Sequence, residues 1–269
     1  MTKEINSFKF LVITPTFNRT HTLLDAVNSV INQTHKNWEH IIVDDCSTDD
    51  TESKISSIIK QYPNIHYIKN EINKGTYRSR NVGIQFALDN DIHWDIYTTL
   101  DSDDFCMNER FEKVNFYFQN NPKLISLRPN VLRTDIRDLT FQSYKNQKQQ
   151  SPEGASFYSR ECFNLLGFFD NVRMGGDSEY WERSVRACNL SKGKYLFGHM
   201  KHSDPLYVAY KAWKNGNLTY QGHGFRGKYL NAFRAAHRSH ESIDGLYKPF
   251  DNNPVTSNGF TETPYWWVD

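Results

Sequence analysis

The sequence predicts an α/β fold: a mostly parallel central sheet with helices on both faces. Three observations carry this. Short apolar, β-prone runs alternate with helical stripes through the first hundred residues. Each run ends in a polar cluster, and alternation at this spacing is the pattern of parallel sheets covered by crossover helices. The length of 269 residues suits one large domain, or one domain with a small appendage.

The elements follow in order. Phe10–Thr14 (FLVIT) is a short apolar run closed by Pro15, the signature of a buried strand. Thr22-Leu-Leu-Asp25 has capping-box spacing, and Leu23, Leu24, Val27, Val30 and Ile31 continue a helical stripe. His40–Val43 predicts a second strand, ending in Asp44-Asp45. Ser47 or Thr48 then caps a helix whose apolar face is Ile55, Ile58, Ile59 and Tyr62. Ile65–Ile68 predicts a third strand and Thr76–Leu88 a third helix. Ile92–Leu100 predicts the fourth strand, which runs into Asp101-Ser102-Asp103-Asp104.

Beyond residue 105 the alternation weakens. Asn108–Asn120 reads as a helix with Phe111, Val114, Tyr117 and Phe118 on one face, and Leu124–Leu127 as a strand. Residues 134–154 are polar and poorly patterned, which predicts a long loop. Ala155–Tyr158 reads as a strand followed by a short helix ending at Gly167, and Asp177–Cys188 as a further helix. The tail from Gly222 is rich in glycine, aromatics and histidine without clear periodicity.

Composition removes several function classes. The formal net charge of +1 gives no support for a nucleic-acid binder. No run of about 18 apolar residues exists to span a bilayer. The N-terminal MTKEINSFKFLVITP lacks a signal-peptide core. The four cysteines show no C-x-x-C pair, which favours reduced thiols over a structural zinc. Together these predict a cytoplasmic protein. The sequon Asn18-Arg-Thr20 agrees, since a glycan there would block the ligand edge described next. The aromatic tail Tyr265-Trp266-Trp267 leaves peripheral membrane association open, as it leaves a homo-oligomer, but no amphipathic pattern argues for it.

In open parallel sheets, ligands bind outside the carboxyl ends of the strands. Here those ends carry Pro15, Thr16, Asn18 and Arg19, then Asp44 and Asp45, then Asp101 to Asp104. Alone, DSDD reads as a solvated acidic turn. Gathered on one rim with the others, it reads as a cation site, because clustered carboxylates repel unless a positive charge sits among them. Neither G-x-G-x-x-G nor G-x-x-x-x-G-K-[ST] occurs, so a nucleotide would need another way to neutralise its phosphates. Mg2+ or Mn2+ on Asp101 and Asp103 would supply one.

Taken together, PTFNR (15–19), VDDCSTDDT (43–51), NKGTYRSRNVGI (73–84) and LDSDD (100–104) resemble the family 2 glycosyltransferases of the GT-A, nucleotide-diphospho-sugar transferase fold. The family patterns are P-T-Y-N-R, V-D-D-G-S-x-D, N-x-G-x-x-x-A-R-N-x-G and L-D-x-D-D. A fifth segment, LLGFFDNVRMGGDSEYWERSV (165–185), is similar to the family's G-G-F-D and E-D-x-x-x-W-x-R. The resemblance covers residues 8–190. It implies a domain over 1–221, with a donor half at 8–105 and an acceptor half at 106–221, followed by an extension over 222–269.

The resemblance also implies roles. Pro15, Thr16, Asn18, Arg19 and Gly75 would line the nucleotide, and Asp44 or Asp45 would accept a hydrogen bond from its base. Arg80 would meet the base or diphosphate, since a diphosphate suits a guanidinium fork. Asp101 would face the ribose, Ser102 would line the nucleotide, Asp103 with Asp101 would hold Mn2+ or Mg2+, and Asp104 would cap the turn. Asp177 matches the aspartate of the family's Glu-Asp pair and would be the catalytic base. The glutamate position is Gly176 instead, a departure that keeps Glu179 in reserve. Trp181 and Arg183 match the motif's tryptophan and arginine, as packing or ligand groups. His199 and His202 carry no assignment. The implied activity is inverting transfer of a sugar, UDP-linked by preference, to a glycan or other hydroxyl-bearing acceptor. A non-catalytic nucleotide-sugar-binding scaffold is the alternative.

Overall fold

A computed structural model describes residues 7–135, 140–142, 155–172, 174–200, 206–211 and 223–250. The chain runs β1 (Phe10–Thr16), α1 (Thr20–Ile31), β2 (Trp38–Asp44), α2 (Thr51–Ile59), β3 (Ile65–Lys69), α3 (Thr76–Asp89), β4 (Ile96–Thr99) and β5 (Asp104–Cys106). It continues through α4 (Arg110–Asn120), β6 (Leu124–Arg128), β7 (Val131–Asp135), β8 (Thr140–Gln142), β9 (Phe157–Ser159), α5 (Arg160–Leu166) and α6 (Gly176–Leu190). The last elements are β10 (Leu196–His199), β11 (Tyr207–Lys211) and α7 (His223–Ser239).

A seven-stranded sheet has the order β10-β6-β9-β4-β1-β2-β3. β9 runs antiparallel to its neighbours β4 and β6, and the other neighbours pair parallel. The carboxyl ends of β1, β2, β3, β4, β6 and β10 therefore share one rim. β1 shows why its sequence is apolar without alternation. Phe10 and Val12 pack on one side with Val27 of α1 and Phe111 of α4, while Leu11 and Ile13 pack on the other with Ile84 of α3. Both faces are covered, as parallel sheets require. Each such buried side chain contributes about 1.5–3 kcal/mol of transfer free energy.

Local signals misplaced several boundaries. α1 starts at Thr20 rather than at a Thr22 capping box, and Thr22 Oγ1 reaches only the Arg19 carbonyl, 3.4 Å away. α2 starts at Thr51, beyond the caps expected from Ser47 or Thr48. One carboxylate explains both shifts: Asp49 accepts from Thr20 (Oγ1 2.8 Å) and from Thr51 (N 3.1 Å, Oγ1 2.6 Å). A single acid between two helix starts serves the donors that two separate caps would have served.

Pairing partners distant in sequence created what the local pattern lacked. β7 and β8 fall at the edge of and inside the stretch expected to be a loop. They join β11 and β5 in a second sheet of order β5-β11-β7-β8, with Tyr207 opposite both Val131 and Cys106. The tail read as aperiodic forms α7. Phe233 and His237, one turn apart, bury against the molecule, and this packing stabilises a helix whose own sequence includes Gly224 and Gly227. His202, the segment 143–154 and the aromatic end at 265–267 lie outside the described residues. Among the described residues, no helix is long and apolar enough to cross a membrane.

Candidate active site

The rim begins at the end of β1. Pro15 and Thr16 stand opposite Val43 and Asp44 of β2, and the Thr16 carbonyl accepts the Asp45 amide at 2.8 Å. Thr16 Oγ1 is buried and has no hydrogen-bond partner among the described residues. Asn18 turns the chain with φ 51 and ties the first loop to the second. Its amide donates to Ser47 Oγ at 2.9 Å, and its Oδ1 accepts the Thr48 amide at 2.8 Å. Cys46 holds φ 71, the left-handed region, at the position where the family pattern has glycine.

Asp44 and Asp45 face inward. Asp44 accepts the Ser47 amide at 2.7 Å and the Tyr67 hydroxyl at 2.6 Å. Burial, then the Asp44 carboxylate, pushes the Tyr67 hydroxyl well up from its ordinary value. Asp45 accepts the amides of Lys74 and Gly75, both at 2.7 Å, and Asn70 Nδ2 at 2.9 Å. Gly75 has φ 86 and ψ 162, a conformation open to glycine, so Asp45 and Gly75 together set the entry to α3. The visible work of both acids is to shape the loops that border Thr16.

α3 then delivers Arg80. The residue is 2% exposed and donates from Nη2 to Asp101 Oδ1 at 2.6 Å. Its guanidinium lies 4.9 Å from the Tyr77 ring centroid and 5.8 Å from that of Phe169. Burial would discharge it, yet Asp101 and its neighbours outweigh burial and raise its pKa. Nε and Nη1 are buried without partners among the described residues. A charged group in this state leaves two strong donors unserved.

The three acids after β4 divide. Asp101 is 39% exposed and keeps one face to the rim. Asp103 pairs with Arg19, and burial raises its carboxyl pKa against the pull of that arginine. Ser102 is buried in the turn between them. The Asp104 amide closes the turn on the Asp101 carbonyl at 3.0 Å, and its carboxylate accepts the Tyr207 hydroxyl of β11 at 2.7 Å. Two carboxylates suit a hard divalent cation whose other positions are filled by phosphate oxygens and water. Among the described residues, no group of three or more His, Cys, Asp or Glu could hold a metal. A cation here would rest on Asp101 and Asp103 and on its ligand. Here both carboxylates take their positive partners from arginines, Arg80 and Arg19.

Across Tyr77 lies α6. Gly175 takes φ 81 and turns the chain into the helix, so Asp177 stands in its first turn. The Asp177 carboxylate accepts the Tyr77 hydroxyl at 2.7 Å and the Ser178 amide at 3.0 Å, and is half-buried. Glu179 is in a different situation, at 0% exposure. It meets Arg183 and His237 at 2.9 Å and Lys248 at 3.4 Å. Burial would raise its pKa, but Arg183, Lys248 and His237 overcome that and hold it far below the usual carboxylate range. This argues against the reserve role for Glu179: a carboxylate sealed in the interior and paired with Arg183, Lys248 and His237 does not reach an acceptor. Arg183 also donates to the carbonyls of Leu166, Phe168 and Leu246, and Trp181 packs under the Arg128 guanidinium at 4.0 Å. Both brace the helix.

Two contributors escaped the sequence reading. Asn81 donates to the Phe169 carbonyl at 2.9 Å and accepts the Phe169 amide at 3.0 Å, bolting α3 to the loop before α6. Tyr77 sits at a variable position of its motif, and its partner lies about a hundred residues away, so no local signal marked it.

Acids and a guanidinium thus gather at the carboxyl rim of a mostly parallel sheet, with the Asp177 carboxylate joined to them through Tyr77. The Glycosyl transferase family 2 model matches residues 11–174, and the chain belongs to that family. The chain is 38% identical over 102 residues to a putative teichuronic acid biosynthesis glycosyltransferase, TuaG, of Bacillus subtilis, covering 38% of each. It is 32% identical over 111 residues, 41% of each, to the Escherichia coli UDP-Glc:alpha-D-GlcNAc-diphosphoundecaprenol beta-1,3-glucosyltransferase WfgD. An uncharacterized glycosyltransferase of Rickettsia conorii is 38% identical over 123 residues, 45% of this chain and 19% of that protein. The chain thus aligns with less than half the length of these relatives. Among solved structures, S. aureus TarS 1–349 in complex with UDP superposes with TM-score 0.64 at 16% identity, covering 85% of this chain and 65% of that one. The mannosyltransferase PcManGT from Pyrobaculum calidifontis, in complex with GDP-Man and Mn2+, gives TM-score 0.54 at 16% identity, covering 86% of this chain and 62% of that one. These likenesses show the fold.

Proposed function

We propose that this glycosyltransferase moves a sugar from a nucleotide-diphosphate donor, UDP-linked by preference, to an acceptor hydroxyl in polysaccharide assembly, with inversion at the anomeric carbon. The observation that carries the reading is Arg80. Its buried guanidinium spends one donor on Asp101 and holds Nε and Nη1 unserved, one contact away from Asp177 through Tyr77. Diphosphate oxygens are the acceptors such a fork fits. The names of TuaG and WfgD support a polysaccharide setting, and the UDP and GDP-Man ligands of TarS and PcManGT support a nucleotide-sugar donor.

In the proposed reaction the acceptor oxygen attacks the sugar C1 and its proton passes to Asp177. The bond from C1 to the phosphate oxygen breaks in the same displacement, and the nucleoside diphosphate leaves with the electron pair. Arg80 holds the donor in register and carries part of the growing negative charge. Thr16 and the loops set by Asp44 and Asp45 border the base. Mn2+ or Mg2+ bound by Asp103 and Asp101 would supply further positive charge beside the diphosphate. Glu179 takes no part in proton transfer.

The test is donor turnover across UDP-glucose, UDP-galactose, UDP-GlcNAc and GDP-mannose with Mn2+ or Mg2+, paired with calorimetric UDP binding. Asp103→Ala is expected to lose metal-dependent turnover by about 100-fold or more; full activity in this variant sinks the metal assignment. Asp177→Asn is expected to lose transfer while binding UDP as the parent does, and an active variant moves the base elsewhere. Binding of UDP with no turnover of any donor would favour the scaffold reading.

A further inference from the structure

Gly175 and Gly176 stand side by side, and only the first needs to be glycine for its backbone: Gly175 has φ 81, whereas Gly176 is helical. As the first residue of α6, position 176 has a backbone open to any L residue, so its glycine is explained by its surroundings. The reason is Tyr77. A Cβ at position 176 would lie 2.9 Å from two ring carbons of Tyr77, closer than van der Waals contact allows. The room for the family's glutamate is filled by an aromatic ring from α3.

That ring has three contacts with chemical meaning. Its hydroxyl donates to Asp177 Oδ1 at 2.7 Å. Its ring lies 4.9 Å from the guanidinium carbon of Arg80. It also meets the Phe169 ring at 6.2 Å, beside the loop that Asn81 bolts to α3. The hydroxyl is buried with the ring, and burial, then the Asp177 carboxylate, keeps its proton on, so it remains a donor.

We propose that Tyr77 is the positioning residue for the acceptor-side carboxylate: its hydroxyl fixes the Asp177 rotamer, and its ring, seated where a side chain at 176 would stand, couples that rotamer to Arg80. The inference rests on Asp177 being the base. It turns the Gly176 departure from a sign of lost activity into half of an exchange, in which a tyrosine from the donor half replaces a neighbour within α6. Holding the carboxylate in one rotamer raises the fraction of complexes in attack geometry.

The experiment uses the full chain. Tyr77→Phe keeps the ring and deletes the hydroxyl. For whichever of UDP-glucose, UDP-galactose, UDP-GlcNAc or GDP-mannose turns over with Mn2+, kcat is expected to fall about tenfold with donor KM within twofold. Unchanged kcat, or a loss confined to KM, overturns the proposal. The exchange is tested without substrate by thermal unfolding. Gly176→Ala is expected to lower Tm in the parent and to do so by less than half as much in a Tyr77→Ala background; equal losses overturn it. Asp177→Asn separates the two readings. If it stays active, the base assignment fails and the inference falls with it. If it is inactive while Tyr77→Phe is fully active, the positioning role alone fails.

Discussion

Two carboxylate–arginine pairs, one in each half of the molecule, have nearly the same chemistry and opposite surroundings. Asp101–Arg80 sits at the rim, with the acid 39% exposed, and the arginine keeps Nε and Nη1 unserved. Glu179–Arg183 sits in the interior, with both side chains at 0% exposure. There Arg183 also meets the carbonyls of Leu166, Phe168 and Leu246, while Glu179 adds His237 and Lys248. The difference is one of access: the Asp101 carboxylate opens to the rim, whereas Glu179 and Arg183 are both closed among interior partners. Removing Arg183 would leave the Glu179 carboxylate sealed in the interior, whereas removing Arg80 would leave an Asp101 carboxylate that solvent reaches.

The comparison breaks most visibly at Glu179. Glu179→Ala strands Arg183 in the interior and is expected to cost about 3–5 kcal/mol of folding stability. Urea denaturation reads this directly, and a loss below about 1 kcal/mol would show that Glu179 is no brace. The pH dependence has a defined sign. The folded carboxyl lies below its ordinary value of 4.5, so its contribution is present above that pH and is lost as pH falls below it.

A second pair of variants sharpens the contrast. Arg80→Lys removes the fork but keeps the charge, and is expected to weaken UDP binding about 10- to 100-fold with little change in Tm. Arg183→Lys removes bonds to three carbonyls, and is expected to lower Tm while leaving UDP affinity in the folded protein unchanged. Reversed outcomes in calorimetry and thermal unfolding would exchange the two roles.

The smallest effect separates the halves by pH. His40, in β2 of the donor half, is fully buried beside Thr14 Oγ1 at 2.8 Å, and burial, with a smaller contribution from His66, lowers its pKa to about 3. The folded state resists protonation that the unfolded chain accepts below 6.5, so stability falls through the window from 6.5 to about 3. Between pH 6.5 and 5.5 the loss is about 1 kcal/mol, well before the Glu179 contribution begins to fade. A flat urea midpoint across that pH unit would contradict a neutral, buried His40.

Much of the chain up to residue 105 was legible because its signals are local. Strand ends, turn acids and Arg80 follow from apolar runs and from motif spacing, and the chain had to bring them to one rim once the sheet was parallel. The capping error at Thr22 shows the limit even there, since Asp49 serves two helix starts from a loop that no periodicity marks. The chain beyond residue 105 was less legible because its elements depend on partners far away. β7 forms because β11 lies beside it, and α7 because Phe233 and His237 find a surface to bury against.

What the sequence by itself determined is the parallel sheet, the gathering of Thr16, Asp45, Asp101 and Asp103 at strand ends, the place of Arg80 on the helix after the third strand, and the first-turn place of Asp177 on its helix. What only the tertiary structure decided is how each acid is used. Glu179 and Asp177 are two residues apart, yet one is sealed among cations and the other faces Tyr77 at the rim. Sequence spacing sets the angle between neighbours on a helix; burial and the charges supplied by other elements set whether a carboxylate braces the fold or remains available to a substrate.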